Sequence, residues 1–175
     1  MPSKLTFAFY FSILWSVALS AQTPNYYLSL SGSKDGPLYH TNISSLTNVV
    51  PILGFNFSAT TPRDTATGLP TGKAQPTSVT LFKEMDTSSP LLMQVLTTNE
   101  LVQATITVIA PATDGSPTTT FIWKLTNGGL SSVSYDVGTT MIETVSIAFQ
   151  RLDIDTIAGG NTVATTVTAL PAPIR

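Results

Sequence analysis

Polar and apolar side chains alternate residue by residue through Thr77–Met85, Val102–Ile109 and Glu143–Phe149, a period of two that suits strands with one buried face. The chain must therefore build a sheet and cover one side of it. Threonine, frequent throughout, is β-branched and packs well on a pleated surface, while glycine and proline mark the reversals. One segment breaks the pattern. Asp86-Thr87-Ser88-Ser89-Pro90 offers capping side chains and a proline suited to a first helical turn, and Leu91, Leu92, Val95 and Leu96 follow at helical spacing. A helix is expected over Ser89–Thr98, short enough to depend on packing against the sheet. The expected fold class is all-β with one short helix.

Only 10 % of the 175 residues are charged and the formal net charge is -2. Such a surface exerts no general pull on nucleic acid or on an anionic membrane. The absence of cysteine excludes a disulfide scaffold and a thiolate metal site. At the N-terminus, Lys4 precedes the uncharged run Leu5–Leu19, and the small residues Ser20 and Ala21 follow, the order of a secretory signal over residues 1–21. Cleavage after Ser20 or after Ala21 fits equally, and an uncut N-terminal anchor is the alternative. The run itself is short for a stable span. Roughly 150 residues then remain, enough for one core.

Strands are expected at Tyr26–Gly32, ended by Lys34-Asp35-Gly36-Pro37, and at Ile52–Ser58, with Leu53, Phe55 and Phe57 on one face. Ala59–Pro76 has no hydrophobic period and reads as a long functional or disordered loop. Val102–Ile109 and Thr119–Leu125 flank Asp114-Gly115 and form an expected hairpin. Asn127-Gly128-Gly129 fits either a tight hairpin or a bulge in one long strand that continues through Leu130–Val137. Glu143–Asp155 reads as a further strand, with Val145, Ile147, Phe149 and Arg151 facing one way. Residues 157–175 form a Gly/Thr/Pro-rich tail or an added edge strand, and the domain is assigned to residues 22–156.

Catalytic patterns are missing from the sequence: there is no Gly-x-Ser-x-Gly, no phosphate-binding glycine loop and no histidine pair. His40, the one histidine, sits beside Tyr39 after a turn and reads as a surface residue. Asp153 and Asp155 point the same way on a strand, but two carboxylates fall short of the six or more oxygen ligands of a calcium site. Glu84 and Asp86 read likewise as solvated carboxylates. Asn42-Ile43-Ser44 and Asn56-Phe57-Ser58 match glycosylation acceptors, a triplet common by chance. No catalytic residue, metal or cofactor is expected.

Gly72-Lys73-Ala74 leading into a strand, then Phe82-Lys83-Glu84-Met85-Asp86-Thr87-Ser88-Ser89-Pro90-Leu91-Leu92-Met93, resembles the haemolysin-coregulated protein (Hcp) family, the tube protein of type VI secretion systems. Leu130–Ser134 and Glu143–Phe149 are similar to the family's later strands, and the likeness covers Tyr26–Asp155. The resemblance implies a two-sheet β-barrel with one helix beside it. It also implies a non-enzymatic structural subunit whose protomers close into a hexameric ring, stack, and enclose effector cargo. The partners it implies are other copies of the chain, effectors and secretion components.

A ring of identical subunits needs a head-to-tail interface, which points to the edge strands and to the loop Ala59–Pro76. By the resemblance that loop reaches a neighbouring protomer or the next ring, so Arg63, Asp64 and Lys73, its only charges, are assigned to the oligomer or stacking interface. The alternative for those charges is that they keep the loop soluble. For the whole chain the alternative is a secreted or surface-associated binding or adhesive module on the same fold, and an exported hydrolase rests only on unplaced Ser, His and Asp. The leader and the resemblance together place the protein outside the cytoplasm of a bacterium, periplasmic or extracellular.

Overall fold

The computed structural model describes residues 23–111, 117–158 and 161–169. The leader over residues 1–21, the turn at Asp114-Gly115 and the last six residues lie outside them. In chain order the elements are β1 (Asn25–Gly32), β2 (Gly36–Pro37), β3 (Val50–Ile52), β4 (Gly54–Asn56), β5 (Ala59–Thr60), β6 (Gln75–Pro76) and β7 (Val79–Glu84). Then come α1 (Ser89–Thr97), β8 (Leu101–Pro111), β9 (Pro117–Val137), β10 (Met141–Ala148), β11 (Arg151–Ala158) and β12 (Asn161–Thr168).

The antiparallel neighbours run β1-β8-β9-β10-β7-β4, and β3 returns to β1. Residues 50–56 thus close the barrel. Their first half pairs with β1 through Tyr26↔Ile52 and their second half with β7 through Gly54↔Phe82. Between them Leu53 donates its N–H to the Phe82 carbonyl at 2.7 Å. The single strand expected over Ile52–Ser58 is therefore two strands serving two partners. Leu53, at the changeover, is 54 % exposed, whereas Phe55 and Phe57 pack edge-on against Trp123 at 5.1 and 5.5 Å between ring centroids.

β9 is long because it bends. Its first half lies between β8 and β11, its second half beside β10, and β12 extends the sheet beyond β11. Asn127 adopts φ 50°, and a Cβ on Gly128 would sit 3.0 Å from the Ala148 carbonyl oxygen and 3.3 Å from that of Val102. Of the two readings of Asn127-Gly128-Gly129, the structure takes the bulge. On the facing side the strand expected over Glu143–Asp155 breaks at Phe149-Gln150, opposite the bend, where Gln150 N–H meets the Thr126 carbonyl. The extra residue inverts the alternation. Val145, Ile147 and Phe149 are buried, but Arg151 is exposed and Leu152 takes the core position, so Arg151 does not share their face.

Leu28, Leu30, Val79, Leu81, Ile106, Leu125, Val145 and Ile147 fill the interior, and α1 adds Leu92 and Val95. Two charged residues in this interior have no solvent exposure at all. Lys83 and Glu143 are cross-strand partners of β7 and β10, both with no solvent exposure, and Lys83 Nζ donates to Glu143 Oε2 at 2.9 Å. Ser89 Oγ donates to the same oxygen at 2.8 Å, and Lys83 also donates to the Glu84 carbonyl and faces Asp86 at 3.2 Å. Tyr135, the register partner of Glu143 on β9, donates its hydroxyl to the Ser89 carbonyl. Ser88 is the N-cap residue, yet its hydroxyl turns to Asp86 instead of capping the helix. Three strands thus hold the start of α1 through one polar cluster.

Removing one partner of the pair leaves a buried charge uncompensated, so Lys83→Met or Glu143→Leu alone should cost about 3–5 kcal/mol in urea unfolding, and the double substitution much less than their sum. Gly128→Val should cost about 1–3 kcal/mol in the same measurement, because two backbones must move apart.

Candidate assembly interface

The segment Ala59–Pro76, expected as a loop, is an ordered hairpin arm. β5 and β6 pair only with each other, Thr71 N–H donates to the Pro62 carbonyl at 2.9 Å, and Asp64 N–H donates to that of Leu69 at 2.9 Å. Its base is tied by Thr77 N–H and Oγ1 to the Ser58 carbonyl. Every residue from Ser58 to Gln75 is exposed, so the arm contributes nothing to the core. Prolines 62, 70 and 76 narrow the conformations it would otherwise lose on ordering.

Asp64 builds the tip. Its carboxylate accepts from Thr67 N–H at 2.7 Å, Thr67 Oγ1 at 2.9 Å and Ala66 N–H at 3.0 Å, while Gly68 closes the turn at φ 70°, in the left-handed region. The Thr67 bonds above all, then that of Ala66, hold the Asp64 carboxyl below the usual range. Arg63 donates to the Gly68 carbonyl at 3.0 Å. Lys73, on the returning limb, forms no salt bridge among the described residues. Arg63 and Asp64 are thus spent on the arm's own shape, and Lys73 faces solvent with Leu69, which is 64 % exposed.

β12 supplies a second contact surface. Asn161–Thr168 carries no charge and, among the described residues, pairs only with β11, leaving its other edge open, with Val163 71 % exposed. Unpaired backbone groups along such an edge are a template for another strand. Of the two readings for the C-terminal segment, residues 161–168 are the added strand. Beside it, Asp153 is gripped by Arg151 at 2.8 Å and Thr166 at 2.6 Å, and Asp155 by Lys124 at 3.2 Å. Arg151 first and Thr166 next hold the Asp153 carboxyl below its ordinary value. Both carboxylates are ion-paired, Asp153 within β11 and Asp155 across to β9, and are not free ligands.

A hollow of about 270 Å³ opens beyond the C-terminal end of β7, where Tyr39, His40 and Thr41 meet Asp86, Thr87 and Ser88. Tyr39 is 3 % exposed and its hydroxyl is shielded from solvent beside Ser88. Burial, then the nearby carboxylates of Asp86 and Glu143, push the phenol well above its ordinary range, so it stays neutral. Burial opposes the charge on Asp86, but the Ser88 hydrogen bonds and the Lys83 ammonium outweigh it and keep that carboxyl below the usual value. His40 lines the hollow, and the Ser88 hydroxyl there donates to Asp86. The phase of the alternation places Lys83 and Glu143 with Leu81 and Val145 on the inner face, a signal the reading of Glu84 and Asp86 as simple solvated carboxylates passes over. Nothing in the sequence marks Tyr39.

The family described as "Type VI secretion system effector, Hcp" matches residues 27–155. The chain belongs to the Hcp family. Among solved structures it is similar to Hcp3, a secreted protein from Pseudomonas aeruginosa, at 18 % identity and TM-score 0.71, covering 85 % of this chain and 100 % of that one. A mutant of Hcp1 from E. coli aligns at 20 % identity and TM-score 0.72, covering 82 % and 97 %, and Hcp1 from Salmonella typhimurium at 16 % and 0.63, covering 82 % and 95 %. No curated protein matches the sequence. These likenesses establish the two-sheet barrel of the Hcp type, with its helix beside it, as the fold of this chain.

Because its folded value is depressed, the contribution of Asp64 to the tip is present above the unfolded pKa, near 3.9, and is lost as pH falls through the folded one. Amide NMR shifts of Ala66 and Thr67 should report a midpoint below 3.9 or so, and Asp64→Asn should abolish that titration.

Proposed function

We propose that this Hcp-family chain is a non-enzymatic tube subunit of a type VI secretion system, whose protomers close into hexameric rings that stack and enclose effector cargo. Family membership over residues 27–155 carries the reading and favours it over an adhesive or binding module. The physical support is a barrel that is complete without its arm: β5 and β6 pair only with each other, and the arm's side chains face solvent. A protruding arm and an open edge are two different surfaces, as a heterologous ring contact requires. In this reading Arg63 and Asp64 shape the arm and Lys73 contacts the neighbour, and the protein acts in the periplasm or outside the bacterial cell.

Size-exclusion chromatography with light scattering on the full chain, followed by negative-stain imaging, tests this directly. A six-fold mass with annular particles is expected, and a monomer at every concentration would refute it. Replacing Ala59–Pro76 by a short Gly/Ser link should leave the barrel's unfolding midpoint nearly unchanged and abolish the higher assemblies, because the arm holds no core residue.

A further inference from the structure

The inner face of the sheet runs on past the core at one end of the barrel. Tyr26, Val108 and Phe121 stand in one cross-strand row on β1, β8 and β9, and each shares its face with a core residue further along its strand, Leu28, Ile106 and Leu125. The segment that closes the barrel meets this row only at its edge, Ile52 opposite Tyr26, and then crosses to β7. A groove of about 390 Å³ is left, and Phe55, Ala110 and Trp123 complete its lining. Among the described residues no charged side chain lines it, and Phe121 is 39 % exposed. A concave, uncharged, aromatic surface of this kind fits an apolar stretch of chain.

The path of the polypeptide identifies that stretch. Pro24 forms part of the groove's wall, so the residues before it start at the groove. The uncharged run over residues 5–19 ends at Leu19, five residues before Pro24, a reach of about 18 Å at most. Its last part carries Ile13, Leu14, Trp15, Val17 and Leu19, side chains that gain by leaving water for such a surface. A tethered segment also meets the groove at a high effective concentration, whereas a separate partner must offset its lost translational and rotational freedom.

We propose that, in the chain that carries its leader, residues 13–19 fold back onto the Tyr26–Phe121–Trp123 groove and cover it. The groove is then a holding site for the leader, and cleavage after Ser20 or Ala21 uncovers it. The contact lies within one chain and does not depend on the tube-subunit reading.

The chain has no cysteine, so introduced thiols report the contact directly. Two full-length variants are oxidised side by side, Val17→Cys with Ala110→Cys and Val17→Cys with Asn25→Cys. Ala110 lines the groove, whereas Asn25 is exposed, points to the other face of β1 and is nearer to Val17 along the chain. A leader that is free in solution closes the shorter loop more readily. The intrachain disulfide between positions 17 and 110 should nevertheless form several-fold faster than that between 17 and 25. A second readout uses the apolar dye anilinonaphthalene sulfonate on the full-length chain with Leu14→Asp and Val17→Asp, which alter no residue of the barrel. Dye fluorescence should rise above that of the wild type, because the groove is uncovered. A faster 17–25 disulfide, or a fall in dye fluorescence as apolar surface is lost from a free leader, would overturn the proposal. A 17–110 disulfide formed only between chains would overturn it too and assign the groove to a second copy. Ring mass plays no part in these outcomes, so the tube-subunit reading stands or falls separately.

Discussion

A lysine and a glutamate with no access to water face each other across β7 and β10, and strand register and helix entry are arranged around that pair. Neither charge can be left alone in the interior, so the register of the two strands, the entry of the helix and the position of Tyr135 are tied to one geometry. Slipping either strand by one residue would turn one charge outward and leave the other buried. The pair also explains why the Asp86–Pro90 turn is built as it is. Ser89 donates to one oxygen of the glutamate and Asp86 lies beside the lysine, so the helix start is moored from below and not capped in the ordinary way. What emerges at the surface is an acidic hollow with a buried phenol in its wall.

The second constraint is the bend. Gly128 lies where the backbones of Val102 and Ala148 both approach closely, and the partner strand breaks at Phe149-Gln150 on the same level. Two long strands thus change direction together. After the bend β9 pairs with β10; before it β9 lies between β8 and β11, which carries β12, and Leu125 and Leu152 bring this half into the core as well. Because strands of a barrel have no free edges except where they leave it, the arm between β4 and β7 and the outer edge of β12 are surfaces open to association among the described residues.

Much of this architecture was legible in the residues. Period-two runs located β1, β7, β8 and β9, and Ser89-Pro90 with Leu91, Leu92, Val95 and Leu96 located α1 within a residue of its end. Leu53 and Arg151 were misplaced for the same reason. Each sits where a strand changes partner or gains a residue, and alternation counted along the chain does not register such a step. The arm was harder still. Its side chains bury nothing, so no hydrophobic period marks it, and its order comes from backbone bonds and from the Asp64 turn, which composition does not distinguish from an open loop.

The sequence by itself determined the class of fold and its family likeness, because alternation, turn residues and helix signals act between near neighbours along the chain. Only the tertiary structure decided that Lys83 and Glu143 are one buried unit, that residues 50–56 close the barrel, and that the arm and the Tyr39–Asp86 hollow occupy opposite ends of β7. Those relations join residues tens of positions apart, and they exist only once antiparallel register has set which side chains share a face and which end of a strand they occupy.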